Sequence, residues 1–301
     1  MDHVSILLST YNGEKYIREQ IQSLLQQEGV CMNILVRDDG STDGTKQILQ
    51  EYKDKGKLDW YGGENLKTAY SFLDLLQRAP ESEYYAFCDQ DDFWMKDKLK
   101  TAVEHLSGYP QEKPALYYGR AKLADKDLHI MGDSRTSSDR MLDLKSAVIN
   151  SNAVGCTMVF NKALLDILKE KCPSYIAMHD AWVHKVCIVM KGNIFWDEDV
   201  PILYRQHQDN LIGGVDSRWR RIKNHYESFK RKECIRSRMI CSLVECYGDK
   251  MEDQEYKMCK LIADYKKSVL NRIKILLSNE IRTDYFRRNI LFKMAILLKI
   301  F

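Results

Sequence analysis

Apolar positions in the first half of the chain recur with two periods. Val4–Ser9 is the short apolar run of a buried strand, and Ile17, Ile21, Leu24 and Leu25 mark one face of a helix over Lys15–Leu25. Asn33–Arg37 reads as a second strand. The turn 38–44 (Asp-Asp-Gly-Ser-Thr-Asp-Gly) follows it and predicts a helix capped by Ser41, Thr42 and Asp43. Leu58–Tyr61, Leu66–Leu76, Tyr84–Cys88 and Lys96–Leu106 continue as strand, helix, strand and helix. The alternation predicts an α/β fold, a mostly parallel sheet with helices on both faces and ligands at the carboxyl ends of its strands. Polar clusters fall at those ends: Thr10-Tyr11-Asn12, Asp38-Asp39 and Asp89-Gln90-Asp91-Asp92. Farther on, 115–135 reads as a strand and hairpin, Val154–Phe160 as a strand, Ala177–Met190 as a helix, and Val200–Tyr204 as a strand leading to Arg205-Gln206-His207. From Ser217 strand signals give way to helical patterns rich in Arg and Lys. Gly213-Gly214 makes a joint, so the expected division is an α/β domain over 1–215 and a helical C-terminal extension over 216–301.

Composition narrows the class. Of 301 residues 45% are hydrophobic and 30% charged, as in globular chains, and a net charge of +3 names no partner. The distribution of charge says more: 217–301 hold 21 basic and 10 acidic residues, whereas 1–216 hold 25 and 33, so the two parts should meet different partners. Nine scattered cysteines without a C-x-x-C pair, several of them in apolar runs (Cys88, Cys156, Cys187), read as reduced cytosolic thiols. The apolar run Val4–Leu8 has no basic segment before it and no small-residue cleavage site after it, so secretion is not expected. No stretch reaches the roughly 18 apolar residues of a spanning helix, and the expectation is a chain that is soluble or lies on a membrane.

A sheet of this kind first suggests a dinucleotide or phosphate-loop site, yet G-x-G-x-x-G does not follow the first strand and G-x-x-x-x-G-K-[ST] occurs nowhere. Carboxylates occupy the strand ends instead. They repel phosphate unless a divalent cation lies between, which points to a metal-bridged diphosphate. Asp89 and Asp91 follow an apolar strand and precede Phe93-Trp94; in an extended segment they point the same way and can share a ligand. A solvated acidic loop is the plainer reading, and the flanking strand and aromatics argue against it. Asp38-Asp39 before Gly40 is either turn chemistry or an acceptor for the imide N–H of uracil or thymine, and Tyr11 either stacks on that base or packs.

Six segments then appear in order: Ser9-Thr-Tyr-Asn-Gly-Glu14, Arg37-Asp-Asp-Gly-Ser-Thr-Asp-Gly44, Asp89-Gln-Asp-Asp-Phe-Trp94, Gly155-Cys-Thr-Met158, Met178-His-Asp180 and Tyr204-Arg-Gln-His207. With them the chain resembles the bacterial family 2 glycosyltransferases, and within these the rhamnosyltransferases of rhamnan, O-antigen and capsule synthesis. The resemblance implies a GT-A fold, a dTDP- or UDP-sugar donor, Mn²⁺ or Mg²⁺, and inversion at the anomeric carbon. Carried over by residue, it gives Thr10, Tyr11 and Glu14 to the nucleoside pocket, Asp39 to the base, Asp89 to ribose or metal, and Asp91 to the metal. It makes Asp180 the catalytic base and brings His207 to the metal or diphosphate. Asp92, Trp94, Gly155, Cys156, Thr157 and His179 fall in the acceptor or donor-sugar region. One departure is Glu64-Asn-Leu-Lys67, where many relatives have Gly two residues after the Asn. The implied reaction moves L-rhamnose from dTDP-rhamnose, or a hexose from a UDP-sugar, onto a lipid-linked oligosaccharide at the inner face of the membrane. A scaffold that binds nucleotide sugar without turnover is the reading from another class, and Asp91 and Asp180 argue against it. Asp180 also reads as a helix-start residue and His207 as a solvated loop histidine.

The tail interleaves basic and bulky apolar residues in Trp219-Arg-Arg-Ile-Lys, Phe229-Lys-Arg-Lys and 289–301, as helices on an anionic membrane surface do. Packing on the catalytic domain with a solvated basic side is the alternative. No nucleic-acid recognition motif accompanies the charge, so nucleic acid is not an expected partner.

Overall fold

The computed structural model describes residues 1–134, 142–149, 153–206, 234–278, 281–283 and 285–301. His207, the Gly213-Gly214 joint, the division at 215 and the basic runs from Trp219 and Phe229 lie outside these residues.

Strands β1 (His3–Thr10), β2 (Cys31–Asp38), β3 (Asp59–Gly62) and β4 (Tyr84–Cys88) alternate with helices α1 (Ile17–Leu25), α2 (Thr45–Asp54) and α3 (Lys67–Arg78). After the two-residue strand β5 (Phe93–Trp94) come α4 (Lys98–Ser107), β6 (Ala115–Gly119), β7 (Lys122–Ala124), β8 (Ile130–Asp133) and α5 (Leu144–Ile149). Then follow β9 (Val159–Asn161), α6 (Lys162–Glu170), α7 (His179–Val189), β10 (Asn193–Asp197) and β11 (Ile202–Arg205). The main sheet has seven strands in the order β10-β6-β9-β4-β1-β2-β3, and β5-β11-β7-β8 form a second sheet of four. Pairings β1–β2, β1–β4, β2–β3 and β6–β10 are parallel, while β9 runs antiparallel between β4 and β6.

Strand alternation builds two cores. On β1, Val4, Ile6 and Leu8 face α1, α2 and α4, and Leu7 faces the other side; on β4, Tyr84, Ala86 and Cys88 divide from Tyr85 and Phe87 in the same way. The second core takes in α3, α5, α6 and α7 and also α8 (Ile235–Tyr247), α9 (Asp253–Ala263), α10 (Val269–Leu277) and α11 (Phe286–Leu297). The helical tail therefore covers one face of the sheet system and shares its core.

The α/β alternation is as expected, with four differences of local cause. The predicted strand Val154–Phe160 is a strand only from Val159. Gly155–Thr157 is a 3₁₀ turn, closed by Thr157 Oγ1 on the Val154 carbonyl at 2.7 Å and the Met158 amide on the Gly155 carbonyl at 2.9 Å. The hairpin expected within 115–135 is β7–β8 of the second sheet, while β6 stays in the first. Of the three expected caps only Asp43 reaches the first turn of α2, its Oδ1 accepting the Thr45 amide at 3.1 Å, while Ser41 and Thr42 bond elsewhere and Gly44 precedes the helix. The segment after β4 is not extended, because residues 90 and 91 form a turn. Helices α5 and α6 and strand β10 are additions that the sequence pattern did not single out.

Candidate active site

Ser41, Thr42 and Asp43, with Thr45, hold the first loop. Ser41 Oγ accepts the Asn12 amide at 2.9 Å, Asp43 the Glu14 amide at 3.1 Å, and Thr45 Oγ1 the Gly13 amide at 2.8 Å. In return Asn12 Oδ1 accepts the Thr42 amide and Glu14 Oε2 the Gly44 amide, at 2.8 and 2.9 Å. Asn12 sits at φ +48°, a conformation Asn tolerates. Gln90 ties this loop to the carboxylate segment: its Oε1 accepts Thr10 Oγ1–H at 2.6 Å and the Tyr11 amide at 2.9 Å. Tyr11 itself is exposed, free to offer a ring face.

Asp38 and Asp39 have different partners. Asp38 is buried in the turn and accepts the Gly40 and Ser41 amides at 3.2 and 2.9 Å. Asp39 pairs with the buried Arg37, and its Oδ2 accepts the Lys67 amide at 2.9 Å. Arg37 also bonds Asp74 at 3.0 Å and the Glu64 carbonyl at 3.0 Å. Lys67, where a glycine was expected, holds the left-handed backbone a glycine favours, φ +64°, and still delivers its amide to Asp39.

The turn after β4 brings the first and last of its three carboxylates together. Oxygens of Asp89 and Asp92 and the Cys156 thiol lie within 4.8 Å of one another. Asp91 is close enough for its charge to act on both: burial first, then the charges of Asp91 and Asp180, push Asp89 up to about 7. Burial, then Asp91 and Asp89, raise the buried Asp92 well above the usual range. Asp92 Oδ1 accepts the Arg205 amide at 3.2 Å, while its buried Oδ2 has no hydrogen-bond partner. Negative charge crowded into a buried pocket with an orphaned carboxylate oxygen suits a hard divalent cation, so the residues fit one.

The turn Gly155–Thr157 joins this cluster to Asp180. Its middle residue, Cys156, meets Asp89 and Asp92, and its first, Gly155, donates its amide to Asp180 Oδ2 at 3.2 Å. Asp180 lies in the first turn of α7, where the helix dipole favours an anion, and its Oδ1 accepts the Ala181 amide at 2.5 Å. His179 turns the opposite way, into the core. It stacks on Phe72 at 3.9 Å and meets the Phe87 edge at 4.8 Å, with neither ring nitrogen bonded. A Cβ on Gly155 would sit 2.5 Å from its Nε2, which explains the glycine. Trp94 is likewise buried, and Thr157 Oγ1 accepts the Gly119 amide at 3.3 Å.

Besides Arg37, two basic residues were not singled out as site residues. Lys98 is fully buried with its Nζ 3.6 Å from the Trp94 ring centre, and burial pushes it down to about 8. Arg205 donates Nε to the Asp91 carbonyl at 2.8 Å and pairs with Glu19, fastening the carboxylate segment to α1. Arg205 stands inside the segment Tyr204-Arg-Gln-His207, which was a signal for it, whereas nothing in the sequence marked Lys98.

Residues 5–168 match the family model for glycosyl transferase family 2. The dTDP-rhamnosyl transferase RfbG of Shigella flexneri is 29% identical over 228 residues, 68% of this chain and 73% of that protein. TarS 1–349 of Staphylococcus aureus, solved with UDP-GlcNAc, superposes with a TM-score of 0.59 at 19% identity, covering 100% of this chain and 82% of the other. The Pyrobaculum calidifontis mannosyltransferase PcManGT, solved with GDP-Man and Mn²⁺, gives 0.53 at 15% identity over 98% of this chain and 85% of that one. With more than half of its residues matched by the family model and GT-A enzymes as its structural neighbours, the chain belongs to glycosyl transferase family 2 and is a glycosyltransferase.

Proposed function

We propose that the chain is an inverting, cation-dependent transferase that moves L-rhamnose from dTDP-rhamnose to a hydroxyl of a lipid-linked polysaccharide precursor, at the cytoplasmic face of the cell membrane. The observation that carries this is the turn Gly155–Thr157, which sets Asp180 beside the Asp89–Asp92 cluster. In the reaction the acceptor oxygen bonds to the anomeric carbon as the bond to the diphosphate breaks, and the electron pair leaves with the nucleoside diphosphate. Asp180, held by the Gly155 amide, takes the hydroxyl proton, a contribution on the order of 10²–10⁴ in rate. Asp89, Asp91 and Asp92 would hold Mn²⁺ or Mg²⁺, whose charge offsets that of the departing diphosphate. Asp39 accepts a base imide N–H and Tyr11 stacks on the ring, with Thr10 and Glu14 shaping the nucleoside loop.

The donor rests on likeness to RfbG. A UDP-hexose is the second reading, favoured by the fit to TarS solved with UDP-GlcNAc, since Asp39 serves uracil and thymine alike. Release of nucleoside diphosphate from dTDP-rhamnose and from UDP-GlcNAc, by wild type and Asp180→Asn, tests both. Faster turnover of dTDP-rhamnose supports the rhamnosyl reading; turnover of UDP-GlcNAc alone replaces it with the second.

A further inference from the structure

Helices α10 and α11 pack on each other and are pinned from beneath by Ile275, Phe292 and Ile296, all buried. Phe301 completes the anchor. Its ring meets Phe292 edge-on at 4.8 Å, its amide donates to the Tyr265 hydroxyl at 3.1 Å, and its carbonyl accepts Ser237 Oγ–H at 2.7 Å. Both helices nevertheless carry a second apolar stripe that none of these contacts uses. Leu270 and Leu277 on α10, and Phe286, Leu291, Met294 and Leu297 on α11, point to solvent, with Leu277 76% and Phe286 78% exposed. A folded chain rarely leaves so many large apolar side chains together on one face without a use.

Charge identifies what covers the face. Residues 266–301 hold nine basic and two acidic residues. Arg287 lies one and two turns before Leu291 and Met294 on the same face of α11, and Lys274 lies between Leu270 and Leu277 on α10. A second copy of the chain would press like charges together, which disfavours a symmetric dimer through this face. An anionic lipid surface supplies both complements, phosphate for the cations and acyl chain for the stripe. Among the described residues no helix is long and apolar enough to cross a membrane, and α10 and α11, of 9 and 12 residues, can only lie along one.

We infer that the exposed face of α10 and α11 is a docking surface for an anionic bilayer, with Leu291 and Met294 dipping among the lipids and Lys274 and Arg287 on headgroup phosphates. The inference stands on tail residues alone and does not depend on the donor or on the chemistry at Asp180. Helix α11 touches α5, and α5 touches α7, so the surface belongs to the side of the sheet that carries Asp180.

Co-sedimentation of the full chain with vesicles of phosphatidylcholine, alone or with phosphatidylglycerol, tests it. The chain should pellet with phosphatidylglycerol vesicles, and high salt should weaken this without abolishing it. Leu291→Glu with Met294→Glu should weaken binding at least about tenfold and leave nucleotide release from the donor unchanged. Lys274→Ser with Arg287→Ser, a milder pair that keeps the apolar stripe, should remove much of the salt-sensitive part. A wild-type chain that stays in the supernatant with anionic vesicles overturns the inference. So does binding that neither pair alters, or a wild-type dimer that the glutamate pair converts to monomer without loss of vesicle binding.

Discussion

Asp180 and His179 are adjacent in sequence and opposite in environment. The carboxylate sits at a helix start with amide donors, and the imidazole is sealed between Phe72 and Phe87. Burial pushes His179 down from 6.5 to about 3, so the folded chain holds it neutral while the unfolded chain charges it. The folded value lies below the unfolded one, so this stability is complete above about pH 6.5. Below that it falls by roughly 1.4 kcal/mol per pH unit until the folded value is reached. Denaturant melts at pH 7.5, 6.0 and 5.0 should therefore converge for His179→Phe relative to wild type; parallel pH dependence in the two would contradict the assignment. Asp180→Asn should lower transfer at least about 10²-fold while donor affinity, read by calorimetry, stays near wild type. Lys67 carries a backbone cost that glycine would not, so Lys67→Gly should leave the chain about 0.5 kcal/mol more stable in a thermal melt. The placement of Asp89–Asp92 after a strand and of Asp180 at a helix start was legible in the sequence, because polar residues there interrupt the apolar pattern. Arg37, Lys98 and Arg205 were not singled out, because a buried cation is defined by partners distant in sequence, such as Asp74 for Arg37 and Glu19 for Arg205.

At the scale of elements, the 3₁₀ turn at Gly155–Thr157 is the piece on which the site hinges. Its apolar, β-prone residues, Val154 and Cys156 through Phe160, read as one strand. The Thr157 bonds to the Val154 carbonyl, with the Met158 amide on the Gly155 carbonyl, turn it into a 3₁₀ segment, in which the His179 ring leaves no room for a Cβ at Gly155. Gly155→Ala must move either the turn or the imidazole. It should cost about 1–3 kcal/mol in the melt and lower transfer as well, since the same amide holds Asp180. A variant as stable and active as wild type would show that the turn does not position Asp180. The loop from Ser41 to Asp43 teaches a related lesson. Residues with capping chemistry bind whichever amides lie nearest, and here Ser41 holds the Asn12 amide while Asp43 divides its oxygens between Glu14 of the loop and Thr45 of α2. Periodicity located the strands and helices; it held no information on which side-chain oxygen meets which amide.

For the whole molecule, composition separates a basic tail from an acidic body, yet packing joins them. The Tyr247 hydroxyl donates to the Ile167 carbonyl at 2.9 Å, Arg238 lies 3.9 Å from the Tyr175 ring centre, and Lys191 pairs with Glu255 at 2.8 Å. Ile240, Leu243, Ile262 and Phe292 are buried in the same core as Trp182 and Val186. A chain ending at residue 233 should therefore lose cooperative melting, because each large core side chain left without partners costs about 2–5 kcal/mol. Melting of that fragment at the full-length temperature would show the α/β part to be self-sufficient. Charge could not reveal this, since the tail's buried apolar positions share its helices with the exposed apolar stripe.

The claim on which the rest depends is that the carboxylate cluster binds a donor diphosphate through a divalent cation. Calorimetry of the full chain with dTDP-rhamnose and with UDP-GlcNAc, in Mn²⁺ and in EDTA, addresses it directly. The account predicts binding of at least one donor in Mn²⁺, loss of that binding in EDTA, and weaker cation-dependent binding by Asp91→Asn. Equal affinity with and without the cation would contradict it.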